Sequence, residues 1–419
     1  MVLERVTHAS VIDGSALRAD FPVFDRPHRS GRPLAYLDSA SSSPKPRVVI
    51  DALSDTYAHH YANVHRGIYE LSEDATARFE AARSAVARFL GAPSEREIVF
   101  VRNATEAINL VAYSWGRANL GAGDRILSTV MEHHANLVPW QQLASATGAS
   151  IEYVSITDDG RLDLDDLQSR LPGAKLLAFA QVSNALGTIN PVGQIAALAR
   201  EAGVVTLLDA AQSVPHMPVD VAALGVDFAV LSGHKMLGPS GIGALWGRRE
   251  LLDGMPPFMT GGSMISRVTL EGSEWNEVPW KFEAGTPAIA EAVGLGAAVA
   301  YLEAIGMDRV RAHERQLFEA AWAAVGAIPG VRLLGPAEPD LHAGVISFAL
   351  DGVHPHDVAT ILDREAVAVR AGHHCAQPVM RRYDLPATTR ASFSVFTTID
   401  DIDRLTDAIG TVRRIFASA

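Results

Sequence analysis

Six short apolar runs set the rhythm of this chain, and most are closed by a cluster of polar residues. They are Ile98–Val101, Arg125–Val130, Ile151–Ser155, Leu176–Val182, Val204–Leu208 and Phe228–Leu231. Their β-branched and aliphatic content, with little polar alternation, is the pattern of strands buried on both faces. Helical periodicity fills several intervals, as in Ala107–Trp115 and Gln194–Ala202. The alternation predicts an α/β fold with a mostly parallel sheet and helices on both faces. A Gly- and Pro-rich segment, Gly254–Pro287, interrupts it, and helices resume from Ala290 to about Ile328. The tail reads as an α+β unit with strands near Val345–Ala349 and Ala391–Val395.

Open α/β sheets bind ligands beyond the carboxyl ends of their strands, so the residues that follow each run matter. Arg102-Asn103-Ala104-Thr105-Glu106 follows the first run and Met131-Glu132-His133-His134-Ala135-Asn136 the second. Ser183-Asn184-Ala185-Leu186-Gly187-Thr188 follows the fourth, Asp209-Ala210-Ala211-Gln212 the fifth and Ser232-Gly233-His234-Lys235 the sixth. One such cluster is a cap or a turn. Five at one sheet edge mark a site.

Pyridoxal phosphate suits the residue types gathered there. Thr105 and Glu106 open a helix, whose free N–H groups and positive dipole end accommodate a phosphate; Thr105 reads equally well as a plain N-cap. Asp209 closes an apolar strand, where a carboxylate is expensive to bury without a cationic partner. A protonated pyridine nitrogen is such a partner and makes the ring an electron sink. Lys235 is either a solvated surface amine or a Schiff-base lysine whose pKa its surroundings lower. His133 either stacks on a ring face or is a satisfied loop histidine. No Cys or carboxylate cluster at ligand spacing accompanies His133-His134, so no metal is expected.

The chain holds one cysteine in 419 residues, within Arg370-Ala371-Gly372-His373-His374-Cys375. A lone cysteine closes no intramolecular disulfide and supplies too few thiolates for a structural zinc site. It is a buried apolar filler or a thiol kept for its chemistry. Arg370, His373 and His374 are candidate cations favouring the reactive thiolate, and Gly372 allows close backbone approach. With 36 Lys and Arg against 48 Asp and Glu, the net charge is −12, which disfavours nucleic acid and anionic membranes as partners. No apolar stretch reaches bilayer-spanning length, and no secretory signal pattern opens the sequence. With the scarcity of cysteine, these features agree with a cytoplasmic protein.

Four segments carry a family likeness: Ser232-Gly233-His234-Lys235, Asp209-Ala210-Ala211-Gln212, Glu132-His133-His134-Ala135-Asn136 and Arg370-Ala371-Gly372-His373-His374-Cys375-Ala376. Together they resemble the group II, SUF-type cysteine desulfurases, which are class V aminotransferase-like, fold-type I pyridoxal phosphate enzymes. The likeness runs in order from Leu37-Asp38-Ser39-Ala40 to the C-terminal region. The Gly-His-His-Cys segment points to group II, because group I enzymes carry their cysteine on a longer loop. The resemblance implies a large cofactor-binding domain over 34–290, with a seven-stranded type of sheet. It also implies a small α+β domain over 291–419 that carries the cysteine, and an N-terminal segment 1–33 packing with it.

The resemblance further implies Lys235 as Schiff-base lysine and proton shuttle, Asp209 on the pyridine nitrogen, Gln212 on the phenolic oxygen and His133 over the ring. Thr105, Ser232 and His234 hold the phosphate, with Thr286 contributed by the second subunit of a homodimer. Asn184 and Arg390 bind the substrate carboxylate, while His65, Arg66 and Arg370 line the pocket near the thiol. The implied activity converts L-cysteine to L-alanine, leaving the sulfur on Cys375 as a persulfide. An acceptor protein of the SufE or SufU kind then takes it toward iron–sulfur cluster assembly. A selenocysteine lyase, or another class V aminotransferase or kynureninase-like enzyme, is the alternative on this scaffold. Two positions depart from the family pattern. Ser41 stands where a second alanine is usual, and Ala104 where a second hydroxyl precedes Thr105. Ala104 implies one phosphate contact fewer, and neither change is expected to touch the chemistry.

Overall fold

The computed structural model describes residues 12–417. The apolar runs form a seven-stranded sheet: β1 Ile98–Val101, β2 Arg125–Thr129, β3 Ser150–Val154, β4 Leu176–Ala180, β5 Val205–Asp209, β6 Phe228–Ser232 and β7 Gly243–Gly247. The spatial order is β1-β7-β6-β5-β4-β2-β3. Strands β2 to β6 are parallel, and β7 runs antiparallel to both of its neighbours, β1 and β6. β7 escapes the apolar-run pattern because it has glycine at each end. Gly243 is required by close approach: a Cβ there would stand 2.5 Å from the Leu231 carbonyl oxygen and 2.9 Å from Asn103 Cα.

Alternate residues of the strands feed two separate cores, one on each face. Leu127, Phe179 and Leu208 join one, while Ile126, Ala178 and Leu207 join the other. A second sheet comprises β8 Val331–Leu334, β9 Val345–Leu350, β10 Arg370–Gly372 and β11 Thr388–Ser392, all antiparallel in the order β8-β9-β11-β10. β11 begins three residues before the expected Ala391, because Thr388 and Thr389 are polar yet buried against the sheet. Phe318, Phe348, Ala391 and Leu405 form its core, joined by Ala35 and Leu37 from the N-terminal side.

Residues 1–11 of the segment 1–33 lie outside the described residues. The rest meets the C-terminal part of the chain: Arg18 pairs with Asp401 at 3.2 Å, and the Phe21 and Phe396 ring centroids are 4.9 Å apart. Among the described residues, no single helix is long and apolar enough to cross a membrane.

One buried ion pair anchors the end of the interrupting segment. Arg83, on helix α1 (Glu70–Phe89) and 1 % exposed, forks onto Glu283 through Nη1–Oε1 at 2.6 Å and Nη2–Oε2 at 2.9 Å. Arg83 also donates to the Ile98 carbonyl, and Glu283 accepts the Phe100 N–H. Helix α1, strand β1 and the 283–287 loop are thereby fixed together. Removing one member strands the other as a buried charge, at a cost of about 3–5 kcal/mol. Arg83→Ala should therefore lower the unfolding free energy by about that amount in urea titrations at neutral pH. A loss within about 0.5 kcal/mol, as for an ordinary surface change, would show that the pair holds nothing.

Candidate active site

All five polar clusters meet at one cavity of about 230 Å³ beyond the carboxyl edge of the large sheet. Asn103 and Thr105 reach it from the end of β1, His133 from β2, Asn184 from β4 and Asp209 from β5. Ser232, His234 and Lys235 come from the end of β6. The smaller sheet and its loops add Arg370, His374, Cys375 and Arg390, and the N-terminal side adds Ala40 and Ser41. Parallel strands end at the same edge, which is why residues far apart in sequence share this space.

At its floor, Asp209 is 8 % exposed, and its carboxylate accepts one hydrogen bond among the described residues, from the Ala211 N–H at 3.0 Å. Burial raises the Asp209 pKa, and the nearby Lys235 charge opposes that rise. Lys235 ends the short turn Gly233–Lys235. Burial pulls its amine down to about 8, with Asp209 working the other way and Arg390 adding to the fall. The amine makes no hydrogen bond to a described residue. His133 is neutral: burial, then the Lys235 charge, push its imidazole to about 3. Its Nδ1 accepts the Ala135 N–H at 3.0 Å, which fixes the ring's setting. The loop beneath is clamped by Glu132, fully buried, which accepts from Thr129 Oγ1 at 2.6 Å, Asn136 Nδ2 at 2.7 Å and the Ala180 N–H at 3.1 Å. Burial raises Glu132 to about 8. Nothing in the residue pattern distinguished Glu132 from the histidines beside it, since its partners come from β2, its own loop and β4.

The opposite end is built on helix α2 (Ala104–Val111). Its N-cap is Asn103, whose side chain accepts the Glu106 N–H at 3.0 Å, so the cap reading of Thr105 does not hold. Ala104 N–H donates to Ser232 Oγ at 2.9 Å. The Thr105 hydroxyl and N–H have no partner among the described residues and line the cavity. Glu106 turns its carboxylate back onto Arg102, accepting its N–H at 2.6 Å and Nε at 3.1 Å, and it does not line this cavity. Burial, with Lys235 and Lys45 adding, pushes the His234 imidazole to about 4. Lys45 donates to the His234 carbonyl at 2.8 Å. A half-buried lysine reads in sequence like any surface lysine, so this contact had no signal.

The third wall is cationic. Cross-strand register sets Arg370 of β10 directly opposite Arg390 of β11, a repulsive pairing unless compensated. Asp38 compensates it, 3.4 Å from Arg370 Nε and 3.3 Å from Arg390 Nη2. Arg390 is 2 % exposed and donates from Nη1 to the Asn184 carbonyl at 2.8 Å. The Asn184 side chain donates to the His374 carbonyl at 2.7 Å. Cys375 is exposed on a turn closed by Ala376 N–H to the His373 carbonyl at 2.8 Å. His374 and Cys375, with φ of 51° and 54°, both lie in the left-handed region that side chains avoid, as in a type I′ turn. The His134 N–H holds the turn through the Cys375 carbonyl at 2.7 Å.

Three other candidates lie elsewhere. Gln212 is buried beneath the site, donating to the Ala40 carbonyl at 2.7 Å while its Oε1 stays unpaired. His65 contacts Glu80 at 2.7 Å and lines, with Arg66, a separate groove beside Trp280. Thr286 is exposed in a third groove with Tyr57 and Met259. Neither His65 nor Thr286 reaches the cavity of its own chain.

These residues fit pyridoxal phosphate. A buried carboxylate short of partners suits a cationic ring nitrogen, and a free desolvated amine suits an aldehyde. The free N–H and hydroxyl of Thr105 at a helix N-terminus suit a phosphate. The fold and site thus define a fold-type I pyridoxal phosphate enzyme with a thiol at the mouth of its pocket. The class-V aminotransferase family model matches residues 35–405. A probable cysteine desulfurase of Streptomyces coelicolor is 49% identical over 411 residues, covering 97% of this chain and 98% of its own. Among solved structures, the cysteine desulfurase of Thermococcus onnurineus is 40% identical with a TM-score of 0.91, over 96% of this chain and 98% of that one. The Escherichia coli cysteine desulfurase CsdA is 37% identical with a TM-score of 0.89, over 97% and 99%. The chain belongs to the class-V aminotransferase family and, within it, to the cysteine desulfurases.

The Lys235 amine should titrate near pH 8, well below the ordinary lysine range. In cofactor-free protein, borohydride trapping of pyridoxal phosphate at Lys235, read by peptide mass, should rise through about pH 8. Asp209→Asn removes the charge that holds this pKa up and should move the midpoint lower. A midpoint above about 10, the range of a solvated lysine, would contradict the desolvated setting.

Proposed function

We propose that this chain takes the sulfur of L-cysteine onto Cys375 and releases L-alanine. The observation that carries this reading is the position of the chain's one thiol, on the wall of the cavity that holds Lys235 and Asp209. When bound, pyridoxal phosphate supplies an electron sink for negative charge at the substrate Cα. Asp209 would hold the ring nitrogen, His133 the ring and Gln212, from beneath, the phenolic oxygen, while Thr105, Ser232 and His234 would hold the phosphate. Arg390 and Asn184 receive the substrate carboxylate, and Arg370 keeps the thiol's surroundings cationic. Lys235, with an amine near pH 8, holds the cofactor and then moves the Cα proton as general base and acid. Cys375 Sγ attacks the substrate sulfur. A new S–S bond forms, the substrate C–S bond breaks, its electron pair stays on carbon, and a proton there completes L-alanine.

A homodimer is supported by the exposure of Thr286 beside solvent-facing Tyr57, Tyr61 and Met259. In it Thr286, and His65 with Arg66, serve the partner's pocket, and Glu106 stays a helix-opening residue that steadies Arg102. The division at 290/291 falls in the first turn of helix Ile289–Ile305, and the small domain beyond it brings the cysteine. No second cysteine exists to carry the sulfur onward. A protein acceptor of the SufE or SufU kind takes it, toward iron–sulfur cluster assembly in the cytoplasm. Anaerobic incubation with L-cysteine should add the mass of one sulfur atom at Cys375 and release alanine. Cys375→Ala should abolish the mass gain while leaving the cofactor spectrum intact. Sulfur retained elsewhere on that variant would overturn the assignment.

A further inference from the structure

Ser41, one of the two departures from the family pattern, lines the cavity and sits inside its cationic wall. Its hydroxyl donates to Asp38 Oδ1 at 2.6 Å and accepts from Arg390 Nη2 at 2.6 Å. The direct Asp38–Arg390 contact is much longer, at 3.3 Å. The short bonds are therefore the ones routed through Ser41. Among the described residues, Arg390 is otherwise tied only through Nη1 to the Asn184 carbonyl, and its Nε is buried without a partner. An alanine at 41 would leave Nη2 with the long contact alone. Asp38 would then be free to swing between Arg390 and the opposing Arg370, 3.4 Å from its other oxygen.

We propose that Ser41 is a positioning residue for substrate binding, acting through Arg390 by bridging its guanidinium to Asp38. The inference rests on the reading of Arg390 as the group that receives the substrate carboxylate. A planar guanidinium recognises a carboxylate by fixed, directional donors, so its orientation governs affinity. Losing the bridge loosens that orientation without removing any charge. The effect falls on ligands with a carboxylate and spares those without one.

The test uses the pyridoxal phosphate-loaded enzyme and the change in its absorbance on titration with L-alanine or ethylamine, which is L-alanine without the carboxylate. S41A should weaken L-alanine binding about tenfold, the scale of one hydrogen bond to a charged group. Ethylamine binding should change less than about twofold, and KM for L-cysteine should rise with kcat nearly unchanged. In the R390Q background, S41A should add nothing, because residues acting as one unit are non-additive. Unchanged L-alanine affinity in S41A, equal weakening of both ligands, or full additivity with R390Q would each overturn the proposal. If R390Q alone leaves L-alanine binding intact, the reading of Arg390 fails first and the role of Ser41 falls with it.

Discussion

Desolvation at the carboxyl edge of the large sheet is the constraint on which the rest of this molecule depends. Asp209 and Lys235 end neighbouring parallel strands, β5 and the turn after β6, in one pocket that excludes much of the water. Each charge in such a place is costly alone and tolerable near the other. The same desolvation lowers the lysine toward neutrality and keeps the His133 and His234 imidazoles neutral at physiological pH. A pocket of this kind is a poor place for structure and a good one for acid–base work. The buried Glu132 network and the Lys45 clamp on the His234 carbonyl keep its loops in place.

The second half of the site obeys different rules. Here two arginines face each other by strand register, and the cavity is kept cationic instead of neutral. Asp38 makes that register tolerable, and it arrives from the far N-terminal side through a parallel bridge to Ser392. The cysteine turn is held from outside as well, by the His134 N–H of the large sheet's loop. Three distant parts of the chain therefore meet around one small volume. Disturbing any of them would displace the thiol relative to the lysine, and catalysis tolerates little misplacement.

Much of this was legible from residues in order. Apolar runs gave their strands to within a residue or two, because strands buried on both faces leave an unambiguous pattern. Asp209, Ser232, Lys235 and His133 lay at strand ends, and parallel topology brought them together. β7 was not legible, since its glycines serve close packing, Gly243 against Leu231 and Asn103 and Gly247 against Phe228 and Leu252, and resemble a loop in composition. Thr105 read equally as a phosphate contact or a cap; Asn103 takes the cap and leaves the Thr105 hydroxyl without a partner among the described residues. Glu106 looked suited to a site at the helix start, yet its nearest strong partner was Arg102.

The sequence by itself determined the fold class, the edge where chemistry gathers, and the single thiol on which sulfur transfer would turn. Those follow from local periodicity, residue type and count, which need no knowledge of distant contacts. Only the tertiary structure decided who touches whom: Asp38 between two arginines, Ser41 bridging to Arg390, Lys45 on the His234 carbonyl, and His65 and Thr286 outside their own chain's pocket. Each depends on segments that approach only once the sheets have packed. Register and desolvation, the two quantities that fix those contacts and charge states, exist only in the folded chain.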